Sequence, residues 1–296
     1  MSAEIIDGKQ VAAEIRLELA KELAQLKADS GIVPGLAVIL LGEDPASKSY
    51  VSAKEKACAE IGIYSDDNRL PAETSEAELL ALIERLNQDD RIHGILVQLP
   101  LPRHINEAAV INAISPEKDV DGFHPVNLGR MMIGEKSFLP CTPHGVLQML
   151  QRKNVPIEGA EVVIVGRSNI VGKPLANIMM QKSDMGNATV TVCHTRSRDL
   201  AAHTRRADIL IAAAGRPNTI SADMVREGAV VIDVGVNRVE DPSAKRGYRL
   251  VGDVDYEAVK EKAAMITPVP GGVGPMTITM LLHNTVQAAK AKATAK

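Results

Sequence analysis

The stretch Val162-Val-Ile-Val-Gly-Arg-Ser-Asn-Ile-Val-Gly-Lys-Pro174 decides the fold. A run of β-branched residues ends at Gly166, and Gly172-Lys-Pro174 has the composition of a helix start. A strand, a glycine turn and a helix N-terminus together offer free backbone N–H groups to a pyrophosphate. The spacing is GxSxxxG rather than GxGxxG, with Ser168 where the second glycine of the usual fingerprint stands. Serine is small enough to let a ligand approach the backbone. On this loop alone two readings stay open: a dinucleotide site, or an ordinary βα turn of a doubly wound sheet.

Further apolar runs follow at the spacing of a parallel sheet, at Thr189–Cys193, residues 209–213 and residues 230–234. A nicotinamide site specific for NAD usually carries an acid at the end of the second strand, to accept from the ribose hydroxyls. Here the chain reads Cys193-His-Thr-Arg-Ser-Arg198, with no acid before Asp199. Arg196 and Arg198, the hydroxyls of Thr195 and Ser197, and Arg167 suit the extra 2′-phosphate of NADP. The competing reading is an arginine pair solvated at a helix start. The polar stretch 237–252 is expected to be a surface hairpin, and 277–290 a final helix.

Upstream, strand and helix alternate again. Val11, Ile15, Leu19, Leu23 and Leu26 recur at helical spacing, residues 35–41 read as a buried strand, and a helix is expected from Pro45 to Ile61. Ser75 with Glu78 forms a capping box, residues 93–99 form the next strand, and Asn106 caps a short helix. Residues 115–142 read as Pro- and Gly-punctuated loop, ending in Thr142-Pro143 as N-cap and first helical position. The expected fold class is therefore α/β, with a parallel-sheet domain followed by a Rossmann-type domain, and the last helix packing back on the first. The boundaries are 1–139 completed by 276–296, and 140–275.

In the helix 45–61, Lys54 lies at i+4 from Tyr50, i+3 from Val51 and i−4 from Cys58, within the apolar row. Lys48 and Lys56 share the polar side and read as solvated. Burial without a partner disfavours an ammonium, which makes Lys54 usable as a general base. Gln98, at the end of a strand where open sheets bind ligands, is placed to hold the amine by a hydrogen bond. Lys118-Asp-Val-Asp-Gly122 carries two carboxylates, readable either as turn formers or, beside a domain junction, as ligand contacts.

Composition narrows the partners. With aromatics at 2%, no Trp and a formal net charge of −3, neither a base-stacking surface nor an electrostatic footprint for nucleic acid or acidic membranes is expected. No apolar run reaches the length of a membrane span, the start lacks a signal-peptide core, and three scattered cysteines suggest neither disulfides nor a metal pair. A cytoplasmic protein without a metal site is expected. His93, His124, His144 and His283 read as structural or solvated.

Taken in order, Tyr50-Val-Ser-Ala-Lys54, Gly94-Ile-Leu-Val-Gln-Leu-Pro-Leu-Pro102, Ser115-Pro-Glu-Lys-Asp-Val-Asp-Gly122, Cys141-Thr-Pro143, the 166–174 loop, Asp233-Val-Gly-Val-Asn237 and Pro268-Val-Pro-Gly-Gly-Val-Gly-Pro-Met-Thr277 resemble the bifunctional methylenetetrahydrofolate dehydrogenase/methenyltetrahydrofolate cyclohydrolase family. The resemblance implies oxidation of 5,10-methylenetetrahydrofolate with NADP, then hydrolysis to 10-formyltetrahydrofolate, in one-carbon metabolism and purine biosynthesis. It implies Tyr50 and Lys54 as the catalytic pair, Gln98 orienting the lysine, and Asp121 binding the pterin. Val97, Leu99, Pro270, Gly271 and Gly274 would complete the folate site. Gly166, Arg167, Ser168, Thr195 and Val236 would hold NADP, and Arg196 its 2′-phosphate. A cleft between the domains and a homodimer are the family's usual arrangement. A different nicotinamide dehydrogenase on the same plan accounts for the loop but not for Lys54 with Gln98 and Asp121. A non-catalytic nucleotide-binding protein gives no reason for a lysine in an apolar row.

Overall fold

The structure, a computed structural model, describes residues 2–244 and 247–294. Strand β1 (Glu4–Ile5) leads into helix α1 (Gly8–Ser30), whose Val11, Ile15, Leu19, Leu23 and Leu26 are buried as their spacing requires. Then β2 (Gly35–Leu41), α2 (Pro45–Ile61), β3 (Tyr64–Leu70), α3 (Glu76–Gln88), β4 (Gly94–Val97) and α4 (Glu107–Ala113) alternate. Two helices follow, α5 (Pro125–Met132) and α6 (Cys141–Arg152). The second series is β5 (Glu161–Val165), α7 (Gly172–Met180), β6 (Thr189–Cys193), α8 (Leu200–Thr204), β7 (Ile209–Ala212) and β8 (Val230–Asp233). It closes with the hairpin β9 (Asn237–Glu240) and β10 (Tyr248–Val251), then α9 (Tyr256–Val259), β11 (Met265–Ile266) and α10 (Val273–Thr294).

The chain divides into two compact units. The N-terminal unit comprises Ala13–Cys141 and resumes at Ile278 in α10. Its sheet has the order β3-β2-β4, all parallel, with Leu36 opposite Gly94 and Ile39 opposite Val97. One core layer is built from Ile39, Ile95 and Val97 against Leu79, Ile83 and Leu86 of α3. The capping box of α3 is formed in both directions, Ser75 Oγ accepting from the Glu78 N–H and Glu78 accepting from the Ser75 N–H.

The second unit holds the N-terminal segment through Ala12 together with Thr142–Thr277. Its six-stranded sheet has the order β1-β11-β8-β7-β5-β6 and is parallel throughout. The expected domain limits placed residues 1–12 with the first sheet; here Glu4 and Ile5 pair instead with Met265 and Ile266. Ala3 packs in the core of that sheet with Val163 and Leu210. A two-residue strand has no periodicity to read, and only its long-range partner assigns it.

Two further expectations are corrected, and one strand is added. The supposed loop 115–142 contains α5, started by Pro125 at its first turn and by His124 Nδ1 accepting from the Val126 N–H at 3.1 Å. Thr142 is not an N-cap: α6 begins at Cys141, and the Thr142 hydroxyl meets the Thr277 hydroxyl at 2.9 Å. The edge strand β3, reading YSDDNRL, escapes pattern analysis because it lacks a continuous apolar face.

Candidate active site

Helix α2 is delimited by its sequence. Asp44 accepts from the Ser47 N–H, Pro45 takes the first helical position, and Gly62 ends it at φ 87°. Between those limits Val51, Ala57 and Cys58 are almost wholly buried, and Lys54, on the same row, is only 8% exposed. Lys56 faces solvent and Lys48 pairs with Glu43, so of these three lysines only Lys54 is directed inward. Tyr50, one turn earlier, is exposed.

The amine of Lys54 donates to Gln98 Oε1 at 2.9 Å. Gln98 follows β4, and its N–H continues the ladder to the Ile39 carbonyl. Its amide nitrogen donates to the Leu99 carbonyl at 2.7 Å, which fixes which end of the amide faces the lysine. The partner of Lys54 is thus a neutral acceptor, which an amine can satisfy with or without its extra proton. Burial lowers the Lys54 pKa, and the nearby Asp121, Cys141 and Cys58 offset this only in part.

The two carboxylates of the 118–122 loop have separate tasks. Asp119 is buried and accepts from the Phe123 N–H, the His124 N–H and Asn127 Nδ2, so it organises the loop. Asp121 is left for other work. Burial pushes its pKa up to about 6, against the opposing pull of Lys54. With Asp119 it stands among Phe123, Val97, Leu99 and Ile114 around a pocket of the N-terminal unit: an apolar slot with two carboxylates in its wall, of which Asp119 is taken up by its three donors. The thiols beside these groups stay protonated, Cys58 pushed up to about 12 and Cys141 well above its ordinary value, both mainly by burial.

In the second unit the loop geometry explains both glycines. A Cβ on Gly166 (φ 141°) would lie 2.1 Å from the Ala213 carbonyl oxygen. One on Gly172 would lie 2.1 Å from the Gly166 oxygen. Ser168 Oγ accepts from the Val171 and Gly172 N–H groups, at 3.1 and 3.4 Å, so it organises the turn rather than merely clearing space. Val171, at the N-cap of α7, supplies no side-chain cap; the first turn is instead satisfied from within the loop, Gly172 N–H by Ser168 Oγ and Lys173 N–H by the Ser168 carbonyl, while Pro174 has no N–H. Arg167 is exposed in that loop.

After β6, Thr195 and Arg196 are exposed on a tight turn closed by the Ser197 N–H to the His194 carbonyl. Among the described residues no carboxylate pairs with Arg167, Arg196 or Arg198. Val236 is 47% exposed just beyond β8. The loops carrying Gly166, Thr195 and Val236 therefore follow the C-terminal ends of parallel strands in one sheet, the edge where such sheets bind nucleotides. Pro270, Gly271 and Gly274 lie in this same unit, at the turn and first residues of α10.

Several structural roles were not legible beforehand. Asp253 accepts from the Ala214, Gly215 and Arg216 N–H groups and from Asn237, pinning the loop that backs Gly166. Asp233 accepts from the Asp253 and Val254 N–H groups, and burial pushes its pKa up to about 7. Asn284 of α10 reaches the Val120 and Leu139 carbonyls. An acid or amide inside an apolar run was the only available signal. His93 accepts from the Gly35 N–H, with its pKa down to about 4 through burial. Among the described residues no group of His, Cys, Asp or Glu could hold a metal ion, and no helix is long and apolar enough to cross a membrane.

Comparison with known proteins agrees across both units. The profile for the tetrahydrofolate dehydrogenase/cyclohydrolase catalytic domain matches residues 6–121, and that for the NAD(P)-binding domain matches residues 140–293. The bifunctional protein FolD of Exiguobacterium sibiricum is 64% identical over 97% of this chain and all of its own. Among solved structures, the bifunctional enzyme of Campylobacter jejuni is 50% identical with a TM-score of 0.92, covering 98% of this chain and 100% of its own. The Trypanosoma brucei dehydrogenase-cyclohydrolase, solved with NADP cofactor and an inhibitor, is 42% identical with a TM-score of 0.94, covering 99% of both chains.

Proposed function

This chain belongs to the tetrahydrofolate dehydrogenase/cyclohydrolase family, and from that premise we propose how its own residues divide the work. The enzyme oxidises 5,10-methylenetetrahydrofolate to the 5,10-methenyl cation with NADP, and hydrolyses that cation to 10-formyltetrahydrofolate. The observation that carries the assignment is the buried Lys54 amine held by neutral Gln98 beside Asp121.

The residues at the second sheet suit a dinucleotide: two glycines that admit no side chain, a tight strand-to-helix turn organised by Ser168, and arginines after β6 that no carboxylate pairs among the described residues. Gly166, Arg167 and Ser168 hold the pyrophosphate. Arg196 meets the 2′-phosphate, and Thr195 and Val236 flank the nucleotide. Bound NADP supplies the hydride acceptor. The protein's part in that step is positioning, because the substrate nitrogens already favour loss of hydride.

Hydrolysis asks more of the side chains. Water adds to the methenyl carbon, and the neutral Lys54 amine takes its proton. As the adduct's hydroxyl releases its remaining proton to solvent and closes the carbonyl, the carbon–N5 bond breaks with its electron pair going to N5, the carbon becomes the N10 formyl group, and the proton held by Lys54 passes to N5. Gln98 aims the amine, Tyr50 lies one turn away to orient the ring system, and ionised Asp121 accepts from the pterin. Val97, Leu99, Pro270, Gly271 and Gly274 are assigned to folate binding on the family resemblance. We further place the protein in the cytoplasm as a homodimer supplying purine biosynthesis, a setting in keeping with three free, buried cysteines.

A coupled assay tests this reading. Wild-type protein with methylenetetrahydrofolate and NADP forms the methenyl species and then its formyl product. Lys54→Gln loses methenyl hydrolysis by about a hundredfold or more while keeping NADP affinity. Wild-type-like hydrolysis in that variant would sink the assignment of Lys54.

A further inference from the structure

Asn284 sits in α10 among Met280, Leu281, Leu282, Val286 and Ala289, all buried, and is itself 3% exposed. An amide buried in such a stretch is costly unless bonded. Both of its N–H hydrogens are used: Nδ2 donates to the Val120 carbonyl at 2.8 Å and to the Leu139 carbonyl at 3.0 Å. The first of these acceptors belongs to the peptide that carries Asp121, and the second to the strand of chain lying over Gly122. That overlap is close: a Cβ on Gly122 would lie 2.6 Å from Pro140 N.

Cys141 completes the arrangement. Its thiol donates to the same Val120 carbonyl at 3.3 Å, and its N–H to the Asp121 carbonyl at 3.3 Å. Asn284 Nδ2 lies 3.8 Å from that sulfur. The backbone on both sides of the Asp121 Cα is therefore held by groups from outside its own loop. A carboxylate has few torsions of its own, so this backbone sets where it points.

We propose that Asn284 is a positioning residue for folate recognition: by clamping residues 120 and 139 it aims the Asp121 carboxylate. This rests on the reading of Asp121 as a folate contact. No part of the chemistry is assigned to the amide itself, and the nucleotide loops lie in the other unit.

The test uses the full-length enzyme with Asn284→Leu, which removes both donors while filling the volume, and Asn284→Ser, which keeps a hydroxyl donor and serves if the leucine variant does not fold. Each is made alone and in an Asp121→Asn background. The KM for methylenetetrahydrofolate rises about tenfold in the single variants, with the KM for NADP within about twofold. In the Asp121→Asn background the same change adds less than about twofold, because its effect runs through the missing carboxylate. Additive losses, an unchanged folate KM, or equal losses toward NADP would overturn the proposal. Absence of methenyl formation by the wild type would instead overturn the function on which it rests, and this with it.

Discussion

Gln98→Glu turns the neutral acceptor of Lys54 into a carboxylate at the same 2.9 Å. At an effective dielectric of about 20 that pair attracts by about 6 kcal/mol. Stripping water from the new carboxylate offsets roughly half of this, leaving about 3 kcal/mol. At about 1.4 kcal/mol per pKa unit the Lys54 pKa rises by about two units. In the wild type, burial holds it below the ordinary lysine value. A raised pKa keeps the ammonium to higher pH, so neutral amine becomes scarcer at pH values below the raised pKa, by up to about a hundredfold for a two-unit rise. Cyclohydrolase kcat/KM falls by about that factor and recovers as pH rises, its profile displaced upward by about two units. Dehydrogenase activity, which needs no proton at Lys54, falls by less than about tenfold. The two activities are measured separately between about pH 6 and 9, with thermal unfolding as the control for folding. A cyclohydrolase profile that does not move, in a variant as stable as the wild type, refutes the role of Lys54 as base. Equal losses in both activities refute the division of labour between proton handling and positioning.

Two further outcomes concern the nucleotide unit. Arg196→Ala, removing an exposed guanidinium with no carboxylate partner among the described residues, weakens NADP by about ten- to a hundredfold and leaves NAD nearly unchanged; equal losses in steady-state KM for both cofactors contradict a 2′-phosphate contact. Gly166→Ala brings a Cβ to 2.1 Å from the Ala213 oxygen at φ 141°, costing about 3–5 kcal/mol in urea unfolding from overpacking and backbone strain together. Gly215→Ala, at φ 67° with nothing within 4 Å, is the control and costs about 1–2 kcal/mol; equal midpoints for the two variants would refute the close-approach argument.

Much of this was written in local sequence. The parallel α/β class follows from apolar runs alternating with helical periodicity, because a buried strand and an amphipathic helix each carry their own pattern. Lys54 was legible for the same reason: residues three and four apart share a face, and Val51 and Cys58 flank it on a face that the structure buries. The GxSxxxG turn announced a backbone approached closely, although not that Ser168 would spend its hydroxyl on the Val171 and Gly172 N–H groups. Tertiary structure decided what depends on distant partners. Only pairing with Met265 and Ile266 moved the first residues to the second sheet, since two residues have no period. Only the folded loop separated Asp119, consumed by three donors, from Asp121, left near a lysine with its pKa at about 6. Carboxylates equivalent in sequence become different in environment once their hydrogen bonding is unequal, and that is set by folded neighbours such as Asn127, whose amide reaches Asp119.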